Sequence, residues 1–241
     1  MYEEVIFVAL LTLLASVIGT LAGFGISTIM VPVLLTVLPL PQTLLLVGII
    51  HWFNDIWKML LFRKGIRWKL FLAFGLPGIL TSFIGSSLFL RISQEILSRA
   101  LGIFLLAYVL FITFNQTFKL GQRLSVVISS GALTGFFAGI FGIGGEINAV
   151  SLSAFNLDKA VYIATAGAIS LMIDSTRIVT YIEGGIRLNP DILSGFLVFI
   201  PASLIGALVG RKGIKKIPQK KFRNFVAVFI FLFGIKLVIY P

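Results

Sequence analysis

The residues with chemical potential are few and regularly spaced. Asp55 and Lys58 stand three apart, so a helix would put them on one face, and Asp174 and Arg177 repeat that spacing further along the chain. His51, the single histidine, lies four residues before Asp55 on the same face, with Asn54 beside it. An imidazole, with an ordinary pKa of about 6.5, can relay a proton. Asp55 and Asp174 could carry one too, Asn54 could donate to a substrate, and Lys58 and Arg177 could attract an anion. Plainer readings compete. The two pairs could simply neutralise each other so that burial is tolerated, the basic side chains could snorkel from near the helix ends, and a lone histidine could be a packing residue.

Two glycine clusters form the second group, Gly23-Phe24-Gly25 and Gly142-Ile143-Gly144-Gly145. Glycine costs a helix interior about 1 kcal/mol relative to alanine, so such density predicts a break. Within a bilayer, non-helical backbone is tolerated only where protein or a water-filled cavity surrounds it. A break also exposes helix N-termini, which favour anions. Ser27 and Thr28 follow the first cluster and could bind substrate or cap the helix. Glu146 follows the second and could carry a coupling proton or cap free N–H groups. By contrast, Gly19/Gly23, Gly131/Gly135/Gly139 and Gly206/Gly210 have the small-xxx-small spacing of closely packed helices.

The elements that must position these groups are apolar. The chain is 58% hydrophobic and 12% charged, against about 25% charged in soluble domains, and its mean hydropathy is +1.07. These values predict an all-α polytopic membrane protein. Spans are expected near 42–62, 70–90, 96–115, 160–182, 191–210 and 223–240, each close to the ~20 residues a bilayer needs. Two longer runs, from Val5 to about Leu40 and over 124–157, contain the glycine clusters and read as broken helices or re-entrant hairpins. No cysteine is present, which excludes disulfides and thiolate chemistry. Metal-protease, nucleophile-elbow and Walker A motifs are absent, so an enzyme is not expected. The net charge of +11 sits in short gaps between apolar runs, which argues for cytoplasmic loops rather than for nucleic acid. Met-Tyr-Glu-Glu at the N-terminus lacks the basic region of a cleavable signal.

The chain also reads as a duplication, residues 1–118 and 119–241, together forming one transporter domain. About 119 residues separate Asp55 from Asp174 and Lys58 from Arg177, and Gly65-Ile66-Arg67 answers to Gly185-Ile186-Arg187. Basic loops at 63–69, 119–123 and 211–223 belong in the cytoplasm by the positive-inside rule. The poorer loops near 91–95 and 183–191, and both termini, then fall outside. The basic loop of one half matches the poor loop of the other, so two inverted-topology repeats are expected, each a broken or re-entrant first segment plus three transmembrane helices.

These residues resemble the TauE/SafE sulfite exporter family, also called toluene-sulfonate uptake permeases. The resemblance is carried by Ala22-Gly23-Phe24-Gly25 with Val31-Pro32-Val33-Leu34, then by Gly135-Phe136-Phe137-Ala138-Gly139 and Phe141-Gly142-Ile143-Gly144-Gly145. It departs at Ile26, Ser27, Glu146 and Ala149. It implies a secondary carrier of small sulfur-containing anions in the cell membrane, needing no ATP and no cofactor. The expected partners are that anion and the lipid bilayer, with a homo-oligomer compatible. In this reading Gly23, Gly25, Ser27, Thr28, Asn54, Lys58, Gly142, Gly144, Gly145 and Arg177 surround substrate, and His51, Asp55, Glu146 and Asp174 carry protons. Two alternatives stay open: a cation/proton carrier, and a membrane-embedded binding subunit of an ATP-driven transporter.

Overall fold

The structure, a computed structural model, describes residues 2–22, 25–62, 65–115, 121–213 and 219–240. Ten helices account for nearly all of them: α1 (Tyr2–Ala22), α2 (Ser27–Leu34), α3 (Leu40–Leu61), α4 (Trp68–Phe89), α5 (Gln94–Phe114), α6 (Leu124–Phe141), α7 (Gly145–Ser153), α8 (Lys159–Glu183), α9 (Pro190–Gly213) and α10 (Gln219–Ile239). Among the described residues, six helices are long and apolar enough to cross a membrane. The all-helical, polytopic expectation holds. The expected spans match α3, α4, α5, α8, α9 and α10 to within a few residues.

Polarity is distributed for lipid. Large apolar side chains such as Leu80, Phe114 and Leu197 face outward, whereas Thr12, Ser16, Thr20, Ser82, Ser86 and Thr134 are buried. Helices in a bilayer gain little from burying apolar surface, so small and hydroxyl residues mediate their contacts. The glycine spacings serve this packing. A Cβ at Gly131, Gly135 or Gly139 of α6 would strike the backbone of Phe74, Gly78 or Ser82 on α4. Gly206 and Gly210 of α9 meet α1 at Leu13, Ser16, Val17 and Thr20 in the same way. α4 therefore lies along α6 and α1 along α9, while α3 meets α8 and α5 meets α10.

Each long glycine-interrupted run resolves into one full-length helix and one short one. α1 has 21 residues and α2 only 8, about 12 Å of helix, too short to cross. Leu38, just beyond α2, shares a pocket with Glu3 and Glu4 at the start of α1, so this hairpin begins and ends on one face of the bundle. The second hairpin pairs α6, of 18 residues, with α7, of 9. Gln122, just before α6, donates from Nε2 to the carbonyl of Ala154, just after α7. Its ends lie at the opposite face, where Arg67 N–H donates to Thr165 Oγ1 and Arg211 stacks on Phe62. The loops around 91–95 and 183–191 join both chain ends at the first face: Gln94 shares one pocket with Arg187 and another with Lys236 and Tyr240.

Candidate functional site

Where α3 meets α8, five side chains form a continuous chain of contacts. Lys58 Nζ donates to Asp55 Oδ1 at 3.0 Å, and Arg177 Nε donates to Asp174 Oδ1 at 2.6 Å. Each is the i,i+3 pair that helical spacing requires. His51 joins them. Its Nδ1 lies 2.7 Å from Asp174 Oδ2, and its Nε2 lies 3.6 Å from Asp55 Oδ2. All five residues are buried, with Arg177 completely so, and neither basic side chain snorkels to the surface.

Glycines on α3 and α8 themselves and at the two backbone breaks leave room for this cluster. Gly48 of α3 sits against the Arg177 guanidinium, which also donates from Nη1 to the carbonyl of Leu44 at 3.3 Å. Gly167 of α8 lies against the Lys58 side chain and the backbone of Asp55. Gly142, at φ +70°, ends α6 in a left-handed turn that suits glycine. A Cβ there would approach Arg177 Nη1 at 3.3 Å. Gly25 abuts the imidazole: its Cβ would fall 2.5 Å from His51 Nε2. The first break thus packs on His51 and the second on Arg177.

Beside the cluster lies a narrow pocket with room for about one water molecule. Its lining includes Gly25 from one break, Gly145 from the other, Asp55 and Lys58, and Asn148 and Ser170. Asn148 is buried and its Nδ2 lies 3.4 Å from the Ala166 carbonyl and from Ser170 Oγ, while its Oδ1 has no partner among the described residues. Buried polar atoms are nearly always paired, and several here are not: Asn148 Oδ1, Asp55 Oδ2, His51 Nε2, Arg177 Nη2, Ser27 Oγ and both amide atoms of Asn54. Of these, Asn148 Oδ1 and Asp55 Oδ2 belong to residues that line the pocket and are the groups a ligand there would satisfy.

The expected site residues therefore separate. Gly25, Gly145, Asp55 and Lys58 line the pocket, and His51, Asp174, Arg177 and Gly142 form its immediate support. Ser27, Thr28 and Asn54 are buried but outside the lining. Gly144 packs on Thr134 and Ala138 of α6. Gly23 and the side chain of Glu146 lie outside the described residues. Asn148, Ser170, Gly48 and Gly167 were not anticipated. For the two glycines a signal existed, since they are related by the same offset as Asp55 and Asp174.

His51, Asp55 and Asp174 bring ligand-type atoms within 4.8 Å of one another. They do not suit a metal ion, because each carboxylate is already neutralised by Lys58 or Arg177 and a cation would meet both fixed positive charges.

The family model described as "Sulfite exporter TauE/SafE" matches residues 8–237. A protein of Methanocaldococcus jannaschii described as "Probable membrane transporter protein" is 28% identical over 165 residues, which cover 62% of this chain and 61% of that protein. No solved structure matches.

Proposed function

This chain belongs to the sulfite exporter TauE/SafE family, and we propose that it is a proton-coupled secondary transporter of small sulfur-containing anions such as sulfite or organosulfonates. The observation that carries this reading is the pocket where Gly25 and Gly145, from the two backbone breaks, meet Lys58 and Asn148. Gly145 opens α7, so free backbone N–H groups stand at the pocket with a helix dipole behind them, an arrangement that favours an anion. Lys58 supplies a charged donor and Asn148 a further polar contact. A few oriented N–H groups and one charge can offset the desolvation of a small anion.

The mechanism would be alternating access. The α1–α2 hairpin opens toward one face and the α6–α7 hairpin toward the other, and the pairings of α1 with α9 and of α4 with α6 exchange helices between the halves. These features support two inverted halves rocking about a central site. The α3–α8 contact, where the ionic cluster sits, would be the pivot.

The direct measurement is uptake by purified protein in sealed liposomes without ATP. An imposed pH gradient is expected to drive saturable sulfite or methanesulfonate flux that is indifferent to sodium. Sodium-dependent flux without anion competition would establish the cation-carrier alternative, and flux that appears only with an ATPase partner would establish the subunit alternative.

A further inference from the structure

We propose that His51 is the proton-binding residue of this transporter, with Nε2 as the atom that loads and Asp55 Oδ2 as the acceptor facing it. Its coupling to flux rests on the carrier reading above; the proton site itself does not.

The geometry fixes which nitrogen is available. Asp174 accepts from Arg177 Nε through Oδ1 and lies 2.7 Å from His51 Nδ1 through Oδ2. An ionised carboxylate only accepts, so Nδ1 carries hydrogen. In the neutral ring Nε2 then bears a lone pair, and it faces Asp55 Oδ2 across 3.6 Å. Two acceptors oppose each other, and neither has another partner among the described residues. A proton from water placed on Nε2 turns this opposition into a donor–acceptor pair and satisfies both orphaned atoms at once. The reverse step returns that proton to water. No other bond changes.

The surroundings explain why the histidine rather than a carboxylate is the loading group. The charged groups facing it are Asp55 and Lys58 from α3 and Asp174 and Arg177 from α8. The α1–α2 break contributes Gly25, which has no titratable group. Each aspartate is committed to its own basic partner, so protonating one would strand a buried cation. With the ring neutral the cluster carries no net charge. With Nε2 protonated it carries one positive charge, next to a pocket that Asp55 and Gly25 help to line. A monoanion entering that pocket cancels the charge, whereas a dianion leaves one uncompensated. Proton and monoanion therefore bind together, each raising the affinity of the other by the same factor. The ligand class assigned to the pocket is a monoanionic oxyanion carried with one proton.

The chain has one histidine, so ¹⁵N-histidine NMR of the protein in nanodiscs reports residue 51 without assignment. Between alkaline and mildly acidic pH the spectrum is expected to pass from the Nδ1–H tautomer to the doubly protonated ring. Methanesulfonate, a monoanion throughout that range, should increase the protonated fraction at an intermediate pH. A ring that stays neutral, or an Nε2–H neutral tautomer, overturns the proposal whether or not the protein moves sulfite. In a second arm, His51→Asn keeps an amide donor for Asp174 but removes the titrating nitrogen. Its methanesulfonate-linked proton uptake, read with a dye in weak buffer, should vanish; retained uptake would overturn the assignment. Should that variant fail to fold, the wild-type titration decides alone. Absence of methanesulfonate and sulfite flux alongside the expected titration would reject the carrier reading and leave the proton site standing.

Discussion

Gly48 of α3 lies against Arg177 of α8, so close that a Cβ would stand 3.2 Å from Nη1. Its counterpart Gly167 lies against Lys58 with more room, 3.6 Å to the nearest side-chain atom of that residue. The difference predicts opposite outcomes. Gly48→Leu must displace a fully buried guanidinium held by Asp174 and the Leu44 carbonyl, an overpacking that costs about 1–3 kcal/mol. Gly167→Ala fits at ordinary contact distance within α8 and should stabilise by about 0.4–1 kcal/mol through the unfolded state. Thermal unfolding in detergent, followed by tryptophan fluorescence, compares the two directly; equal melting temperatures would show that the guanidinium is free to move.

The buried ion pair on α8 makes a second prediction. Asp174→Asn leaves Arg177 without its counter-charge, and Arg177→Gln strands Asp174 against His51 alone. Removing one partner of a buried pair typically costs about 3–5 kcal/mol. The double variant removes both charges and is expected to recover a substantial part of that loss. A double-mutant cycle on unfolding free energies measures the coupling, and additive losses would mean that the pair is not coupled.

Charge distribution predicts orientation. Fourteen of the twenty Lys and Arg residues fall in the sequence segments 63–69, 119–123, 158–159 and 211–223, and of these Arg67 and Arg211 lie at the face where α3 ends. By the positive-inside rule that face should be cytoplasmic and both termini extracytoplasmic. Because the chain has no cysteine, single cysteines at Arg187 and Lys212 can be probed with an impermeant maleimide in intact cells. Arg187→Cys should label at once and Lys212→Cys only after permeabilisation; the reverse pattern would invert the assignment.

Much of this layout was legible from spacing. The i,i+3 offset alone places Lys58 on Asp55 and Arg177 on Asp174, and apolar run lengths locate the spans. The glycine clusters mark both breaks, because density of glycine reports backbone conformation, a local property. What was hidden depends on docking. His51 reads as a neighbour of Asp55, yet its shorter contact is with Asp174, 123 residues away, and this follows only once α3 meets α8. Asn148 is an unremarkable polar residue until α7 is folded back toward α8. Each hairpin also resolves asymmetrically, into a full-length α1 or α6 and a short α2 or α7, which hydropathy over a continuous apolar run does not separate.

Asn54 supplies the last prediction. It is fully buried on α3 and neither amide atom has a hydrogen-bond partner among the described residues. An orphaned buried polar group costs about 1–3 kcal/mol, and an apolar residue of similar shape removes that cost. Asn54→Leu is therefore expected to raise the melting temperature. Proteins retain such a cost where a group has work that folding does not reward, so the same variant should lower anion flux by raising KM. Paired measurements on one preparation separate the possibilities. Higher stability with impaired flux would give Asn54 a ligand role beside the ionic cluster. Higher stability with unchanged flux would make it a dispensable orphan, and lower stability would show that its amide is satisfied in the folded protein by a partner such as an ordered water.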